Sequence, residues 1–574
     1  MQRSSLRGST LPVALLALPL AFAGACSASG TEEPSPSSQG TAGSSSTGGS
    51  GQGGSSSPTS GSDALPARIR RLTRAEYDAS VQALLGTSLA PSVELSFPPD
   101  AKQGPANSPA GAAFTVNDAQ RVDPVLVDKL DTAAQALVAE ARESGRLEQL
   151  APCADSGAGG EACAKTFIQT FGAKALRRPL NEEEAAGLLK AFHVGADGYS
   201  YADGIDLVTR VLLQSPGFLY TTELGEPGAG PSFVMTGNEI ATALSYLLTS
   251  APPDDALLAI AASGALATPE AREAEARRLL DTPQGRRRFV RVVREWLGID
   301  DVAHREKSQN VYPEFASVSH AMDQESRAFI EEVLYGSTGT LAELLTADYT
   351  IAEPALAAVY GVPAGAPGGR TSLAQVKRRG ILNQAAFLSV FASNNGSHPV
   401  FRGVAIMRRV ACLNVPDPGA LGIVVSFPAA DTTKTTRARF EAHAMDAGCA
   451  GCHNKIDNFG FALEGFDGMG KARTEENNLP VDTTVALQTG TDLDGSYSDA
   501  VELVSALAES DAVKACLARQ LFRSSAARSD ASVKEAEDAF VETWRQLPTQ
   551  QQGRLADVLL AFIKSPTFVQ RSTL

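Results

Sequence analysis

Hydrophobic residues recur at helical spacing along most of the chain beyond residue 64. Residues 73–76, Thr-Arg-Ala-Glu, form a capping box, and apolar side chains follow at positions 77, 81, 84 and 85 before Gly86. That spacing places them on one face of a helix. Asn181 begins a second helix, with three glutamates in its first turn. A third amphipathic region runs from Glu239 to Trp296 and is broken at residues 252–255. The pattern predicts a mainly α fold made of several consecutive helical domains.

One short pattern occurs twice. Residues 212–219, LLQSPGFL, are echoed by residues 562–569, FIKSPTFV. Because proline cannot continue a helix, each copy predicts an apolar helix that ends at Ser-Pro, with an aromatic residue packed back against it. We interpret the repeat as two related structural elements and not as a site.

The first 63 residues differ from the rest of the chain. Arg3 and Arg7 precede an apolar run at residues 11–23, which is typical of a signal peptide over residues 1–25 and is too short to span a membrane. Residues 23–26, Ala-Gly-Ala-Cys, resemble a bacterial lipobox, so we expect lipid on Cys26, with simple signal cleavage as the alternative. The stretch 26–63 is rich in Ser and Gly and predicts a flexible, lipid-anchored linker.

Charge narrows the range of partners. The net charge is −15, from 50 Lys and Arg against 65 Asp and Glu. This charge argues against nucleic acid or an anionic membrane surface as a partner. No stretch after the signal segment is apolar enough to cross a bilayer. The lipid on Cys26 is therefore the expected membrane contact.

Candidate chemistry is concentrated at residues 449–453, Cys-Ala-Gly-Cys-His. C-x-x-C-H is the attachment signature of c-type haem, in which the thiols of Cys449 and Cys452 add to the vinyl groups and His453 ligates the iron. With 7 Cys and 6 His in 574 residues, chance rarely produces this pattern. The alternatives are a surface redox pair and a structural zinc half-site without its second pair of ligands. The export signal favours haem, because covalent attachment takes place outside the cytoplasm.

The other cysteines fit an oxidising compartment. Cys153 and Cys163 bracket a short Gly-rich loop, which would let their side chains meet and predicts a disulfide. Cys412 and Cys516 flank the haem-type motif. For this second pair, a disulfide and two buried thiols are both open.

Several blocks resemble those of one known family, in the same order. They are RRLTRAEYDASVQALLG from residue 70, ALRRPLNEEE from 175, LSYLLTSAPPDDALLAIAASGAL from 244, EWLGIDDV from 295, ELLTADYTIAEPALAAVYGV from 343 and RGILNQAAFLSVFASNNGSHPVFRG from 379. The family comprises large secreted bacterial proteins, catalogued as consecutive domains of unknown function with the fifteen-ninety-two domain at its centre. The resemblance covers most of residues 66–574. It implies a helical, extracytoplasmic, cytochrome-like architecture whose biochemical role is unsettled.

Residues 443–473 also resemble the family's haem segment. The family's pattern falls on His443, Cys449, Cys452, His453, Ile456, Asp457, Gly460, Phe461, Glu464, Phe466, Asp467, Gly470 and Arg473. The run places carboxylates close to the haem motif. Asn458 departs from the pattern, because the family often has proline there, and we expect a looser turn after Asp457.

The haem motif makes His453 the expected proximal ligand of the iron. A sixth ligand from Met469 or Met445 would give a high-potential electron-transfer site, whereas His443 would lower the potential. The family is not expected to carry methionine at Met469, and His443 could instead bond a haem propionate. An open sixth position is the further alternative and would permit peroxide or ligand chemistry.

These observations predict an extracytoplasmic lipoprotein that carries covalent haem c. It would carry out electron transfer or haem-dependent redox chemistry with a redox partner protein or a small-molecule acceptor in the cell envelope. Whether it is an enzyme is open. The alternative is a cell-surface binding or scaffold protein, for example one associated with polysaccharide, with a structural or vestigial C-x-x-C-H site. Ser27 follows Cys26, which by similarity to known lipoproteins favours the outer membrane.

After the linker we expect six segments. They are an N-terminal helical domain at 64–150, a helical domain with a disulfide at 151–230, a central helical domain at 231–365, a connecting domain at 366–430, the haem-binding segment at 431–510 and a C-terminal helical domain at 511–574. His398 ends a polar stretch, residues 394–398, which predicts a loop in which His398 could be functional, although a solvated loop histidine is the more frequent case.

Overall fold

Local signals in the sequence begin and end the first predicted helices. In the computed structural model, the Thr73 side chain accepts a hydrogen bond from the Glu76 backbone N–H, and the helix Arg74–Leu85 follows. It ends at Gly86, whose φ of 67° suits glycine. Asn181 caps the helix Glu182–Ala196: its side chain accepts a hydrogen bond from the Glu184 backbone N–H, and the Glu184 side chain accepts one from the Asn181 backbone N–H. Both predicted helices are confirmed.

The structure describes residues 64–103, 113–118, 121–152, 160–228, 230–416, 418–422, 426–445, 447–528 and 533–573. The predicted signal peptide, Cys26 and the linker lie outside these ranges. The helices before residue 220 are α1 Arg74–Leu85, α2 Pro91–Glu94, α3 Pro124–Glu143, α4 Arg146–Leu150, α5 Gly160–Leu176, α6 Glu182–Ala196, α7 Tyr201–Gln214 and α8 Pro216–Leu219.

Helices dominate the rest of the described chain as well, which confirms the mainly α prediction. Those up to residue 405 are α9 Gly237–Thr249, α10 Asp255–Ala262, α11 Pro269–Leu280, α12 Pro283–Leu297, α13 Phe315–Glu331, α14 Leu341–Thr346, α15 Pro354–Tyr360, α16 Ala385–Val390 and α17 Pro399–Ala405. The later ones are α18 Thr436–Ala444, α19 Ala447–Phe461, α20 Ala500–Glu509, α21 Asp511–Ala526, α22 Lys534–Arg545, α23 Thr549–Gln552, α24 Leu555–Lys564 and α25 Pro566–Val569. A π-helical turn, Ile406–Val410, continues α17.

The strands are short, and the two three-stranded sheets join distant parts of the chain. They are β1 Leu65–Pro66, β2 Arg68–Arg71, β3 Lys102–Gln103, β4 Phe114–Thr115, β5 Asn117–Asp118, β6 Tyr220–Glu223, β7 Ser232–Val234, β8 Tyr349–Thr350, β9 Thr371–Ser372, β10 Glu475–Glu476, β11 Leu479–Pro480, β12 Val485–Leu487, β13 Gly495–Tyr497 and β14 Gln570–Ser572. One sheet has the order β1-β14-β7, with β1 parallel to β14, and another has the antiparallel order β5-β2-β6. The remaining strands form two-stranded antiparallel pairs.

Two hydrophobic clusters hold the helices together. The smaller cluster is formed by buried residues between Tyr77 and Leu219. The larger one includes most of the buried apolar residues from Met235 to Val569, together with Leu65 and Phe114. All described residues belong to one compact unit, and the segment boundaries expected within it stay predictions.

The two copies of the Ser-Pro repeat have the same local structure. Ser215 ends α7 and precedes α8 and β6, and Ser565 ends α24 and precedes α25 and β14. Phe218 and Phe568 are both buried. In each copy the chain thus leaves an apolar helix, makes one short helical turn and enters a strand.

A buried ion cluster connects the strands that follow the two copies. The carboxylate of Glu223, at the end of β6, accepts a hydrogen bond from Arg571 of β14 at 2.6 Å and pairs with Arg68 of β2 at 2.8 Å. Arg528 lies 3.5 Å away. Burial by itself would raise the pKa of Glu223, but the three guanidinium groups hold it well below its usual range. The cluster joins the first strands of the compact unit to its last strand.

Candidate haem-attachment site

The whole C-x-x-C-H motif lies in one helix, α19. Cys449 and Cys452 are three residues apart and His453 follows directly, so the three side chains lie on one side of the helix. Both cysteines are free thiols and are half-buried. The His453 side chain is 19% exposed. The motif therefore presents two thiols and an imidazole together at a partly accessible surface.

Asp457 holds the His453 ring from within the same helix. The His453 Nδ1 atom lies 3.0 and 3.1 Å from the two carboxylate oxygens of Asp457, one helical turn further on. Asp457 is only 3% exposed. Its hydrogen bond raises the pKa of His453, although partial burial of the ring acts in the opposite direction. With Nδ1 facing a carboxylate, Nε2 is the nitrogen that would coordinate an iron.

Two glycines let α17 and α19 pack in unusually close contact. A Cβ atom at Gly460 of α19 would overlap the carbonyl oxygen of Pro399 in α17, and one at Gly403 of α17 would overlap the carbonyl oxygen of Ile456. Pro399 precedes Gly403 in α17, whereas their partners Gly460 and Ile456 follow the reverse order in α19, so the two helices are antiparallel. This contact fixes the second half of α19 against the core.

A buried carboxylate anchors the turn that follows α19. Glu464 is 1% exposed and accepts hydrogen bonds from Arg473 and Ser397, each at 2.7 Å. Arg402 of α17 lies 3.6 Å from the same carboxylate and is fully buried. Burial raises the pKa of Glu464, although both arginines act against this. Glu464 and Arg473, two charged residues of the pattern in residues 443–473, thus attach the turn after α19 to the core.

Two arginines extend this attachment through backbone carbonyls. Arg402 donates to the carbonyl oxygens of Leu463 and Phe466 at 3.0 and 2.9 Å. Arg378 donates to the carbonyl oxygen of Gly470 at 2.5 Å and lies over the Phe466 ring, 4.6 Å from its centroid. Residues 463–470 are thus fastened by side chains from helices and loops that precede them by 60 residues or more.

A buried acid beside this network leads to a pH-dependent prediction. Glu325 accepts hydrogen bonds from Thr350 and Tyr360 at 2.7 Å each, and burial raises its pKa from 4.5 to about 7. Because the folded state holds this proton more tightly than the unfolded state, protonation of Glu325 stabilises the fold. This stabilisation is complete below pH 4.5 and is lost as the pH rises through 7. The loss amounts to about 3 kcal/mol. Glu325→Gln mimics the protonated acid, so its free energy of unfolding should not show this loss. Urea unfolding of both proteins from pH 5 to 8 measures the difference, and parallel stability curves would contradict the prediction.

The candidates for a sixth iron ligand occupy three different settings. Met469 is 1% exposed and packs in the larger hydrophobic cluster, so ligation by its sulfur would require covering residues to move. Met445 ends α18 and is 84% exposed. His443 lies in α18, and its side chain is outside the described part of the structure. The choice among these ligands and an open position stays a prediction.

The described cysteines outside the motif are disulfide-bonded. Cys412 and Cys516 form a disulfide with a Cα–Cα distance of 5.3 Å, which ties the end of the π-helical turn to α21. Cys163 in α5 is also disulfide-bonded, and its predicted partner Cys153 lies outside the described residues. Cys449 and Cys452 are thus the free thiols of the described chain.

The solvated loop predicted for His398 is wrong, because this residue is 4% exposed. Its Nδ1 accepts the Phe401 backbone N–H at the start of α17, and its ring stacks 3.7 Å from the Phe401 ring. Phe427 and Phe440 meet the ring edge-on. Burial lowers the pKa of His398 to about 4. A histidine directly before a proline that starts a helix was the available signal, since side-chain acceptors cap such positions.

The described residues show neither a metal cluster nor a membrane-spanning helix. In the described ranges, no three His, Cys, Asp or Glu side chains converge into a cluster that could hold a metal ion. No helix in this part of the chain combines the length and apolar character needed to cross a membrane.

Comparison with known families places the site in one of four matched regions. Family models match at residues 70–143 (PSD3, protein of unknown function, DUF1587), 163–223 (PSD5, DUF1595), 235–362 (PSD4, DUF1592) and 378–476 (PSCyt3, DUF1588). The last match contains α17, α18 and the C-x-x-C-H helix. No curated protein and no solved structure shows a significant match. The chain therefore carries these four domains of unknown function in succession, an arrangement that is consistent with a multidomain family of unknown function.

Proposed function

We propose that α19 attaches haem covalently and that the protein acts in redox chemistry. Cys449 and Cys452 would each form a thioether with a haem vinyl group, and His453 would hold the iron through Nε2. The observation that carries the proposal is the setting of these residues. Two unpaired thiols and an oriented imidazole share one side of a helix, in a chain whose other described cysteines are oxidised to disulfides.

The residues present fit a haem better than a bare metal. A zinc site would need four convergent ligands, and the described residues hold no such cluster. Bound haem would supply one-electron redox chemistry. The side chains of this chain would attach it, orient the imidazole and cover one edge, since Cys452 packs against the larger hydrophobic cluster. The name of the matching PSCyt3 model points to cytochromes and supports the same proposal.

The cellular role that we propose is electron transfer or haem-dependent redox chemistry in the cell envelope. The donor or acceptor would be a partner protein or a small molecule. The lipobox-like sequence at Cys26 supports a lipoprotein that contacts the membrane through its lipid, and Ser27 after it favours the outer membrane, with the protein facing the periplasm or the cell surface.

Replacing both motif cysteines tests the attachment. The full chain, produced with a haem-maturation system, should give a pyridine haemochrome with the band position of thioether-linked haem, at one haem per chain. Cys449→Ser with Cys452→Ser should lose covalent haem altogether, because no thioether can form.

Gly451→Ala is the matched control for this test. It lies between the two cysteines, and a Cβ atom there meets nothing within 4 Å, so this variant should keep its haem. A wild-type protein without covalent haem after maturation would overturn the proposal and favour a binding or scaffold role.

A further inference from the structure

We propose that the carboxylate of Asp457 lowers the reduction potential of the iron through His453. Asp457 would act as a positioning residue that holds the ring and favours the ferric state. This inference rests on the proposed haem attachment. It adds that Asp457 sets the reduction potential of the iron and thereby the redox partners that the site can serve.

The carboxylate of Asp457 directly faces the imidazole of His453. Both Asp457 oxygens lie within 3.1 Å of His453 Nδ1, so the ring nitrogen faces a full carboxylate. A histidine that binds a metal through one nitrogen commonly donates its other N–H to such an outer partner. The bond to a carboxylate is charge-assisted and stronger than one to a backbone carbonyl. It fixes the tautomer in which Nε2 carries the lone pair for iron.

Among the described carboxylates of residues 443–473, Asp457 contacts His453 directly. Glu464 is engaged by Arg473 and Ser397. Asp467 accepts the backbone N–H groups of residues 469 and 471 at 2.9 and 2.8 Å. The family's pattern offers several acids near the motif, and the hydrogen bonds distinguish the one that contacts the histidine from those that hold the turn.

The electrostatic consequence follows from the charge of the iron. The ferric site carries one positive charge more than the ferrous site, so a nearby negative charge stabilises the ferric form more. Asp457 is 3% exposed, and a charge with little solvent around it acts more strongly than an exposed one. The acid should therefore make reduction harder, and the electron donor of this protein should be a comparatively strong reductant.

Asp457→Asn tests the inference on the haem-loaded full chain. The amide keeps the size of the side chain and removes its charge. In spectroelectrochemical titration, the ratio of ferrous to ferric protein at a fixed applied potential should rise about tenfold, the scale on which outer-shell partners of metal ligands act. A residue that is only structural would change stability and leave this ratio unmoved.

Glu441→Gln serves as the matched control. Glu441 lies in α18, its side chain is 51% exposed, and it pairs with Arg437 at 2.8 Å. This variant removes one exposed negative charge from the helix that precedes the motif helix in the chain. Because exposed charges are screened by water and salt, its ferrous-to-ferric ratio should match that of the wild type.

The outcomes separate this inference from the proposed function. Haem-loaded Asp457→Asn with an unchanged potential overturns the inference alone, and a wild-type protein without covalent haem overturns both. Where Asp457→Asn does not fold, the ¹⁵N NMR signal of His453 Nδ1 in the reduced wild-type protein decides. A signal shifted as for an N–H donated to a carboxylate supports the inference, and one typical of a neutral partner contradicts it.

Discussion

Glu223→Gln should lower the free energy of unfolding by about 3–5 kcal/mol, the range observed when one partner of a buried ion pair is removed. Glu223 is 5% exposed and is the acid shared by Arg571 and Arg68. A neutral amide would leave these buried guanidinium groups without the charge that offsets their desolvation. Urea unfolding at pH 7, followed by circular dichroism, measures the loss.

An exposed ion pair provides the comparison for this variant. Glu332 pairs with Arg370 at 2.7 Å, and their side chains are 31% and 46% exposed. Glu332→Gln should cost less than about 1 kcal/mol, because water solvates both charges. Equal and small losses in the two variants would show that the Glu223 cluster adds no stability.

Gly460→Ala should be the second strongly destabilising change, at about 3 kcal/mol or more. The added methyl would overlap the carbonyl oxygen of Pro399. Backbone atoms cannot rotate away as a flexible side chain can, so α17 and α19 would have to separate. Thermal unfolding of the two proteins under identical conditions measures the effect.

The same substitution at another position of α19 is the control. Gly451 has nothing within 4 Å of an added Cβ, and alanine favours a helix over glycine by up to about 1 kcal/mol. Gly451→Ala should therefore stabilise the protein slightly or leave it unchanged, while Gly460→Ala destabilises it. If both variants were more stable than the wild type, the close contact between the helices would be wrong.

Short-range signals explain which parts of the fold could be predicted. Thr73, Asn181 and the Ser-Pro repeat act on residues three or four positions away, so their effect can be read locally. The contact between Gly460 and Pro399 joins residues 61 positions apart, and no local pattern indicates that these two residues meet. The ion pairs of Glu223 with Arg68 and Arg571 span 155 and 348 positions. Such pairings depend on the packing of whole helices and cannot be predicted from any one short stretch of sequence.

Some features of the candidate site could likewise be predicted from local sequence, and others could not. The spacing of Cys449, Cys452 and His453 identifies a haem-type motif by itself. Asp457 stands four residues after His453, and this spacing would predict contact once the helix is known to continue to Phe461. The burial of His398 depends on Phe427 and Phe440, which belong to segments that local patterns could not bring together.

The parallel pairing of β1 with β14 sets the order in which this chain can complete its fold. Leu65 pairs with Arg571 and Pro66 with Ser572, so one of the first strands made waits for one of the last. A ribosome delivers a chain from its N-terminus, and contacts so far apart in sequence form late. During biogenesis, Leu65 and the strand around it would therefore remain without their partner strand until the chain has emerged as far as Ser572.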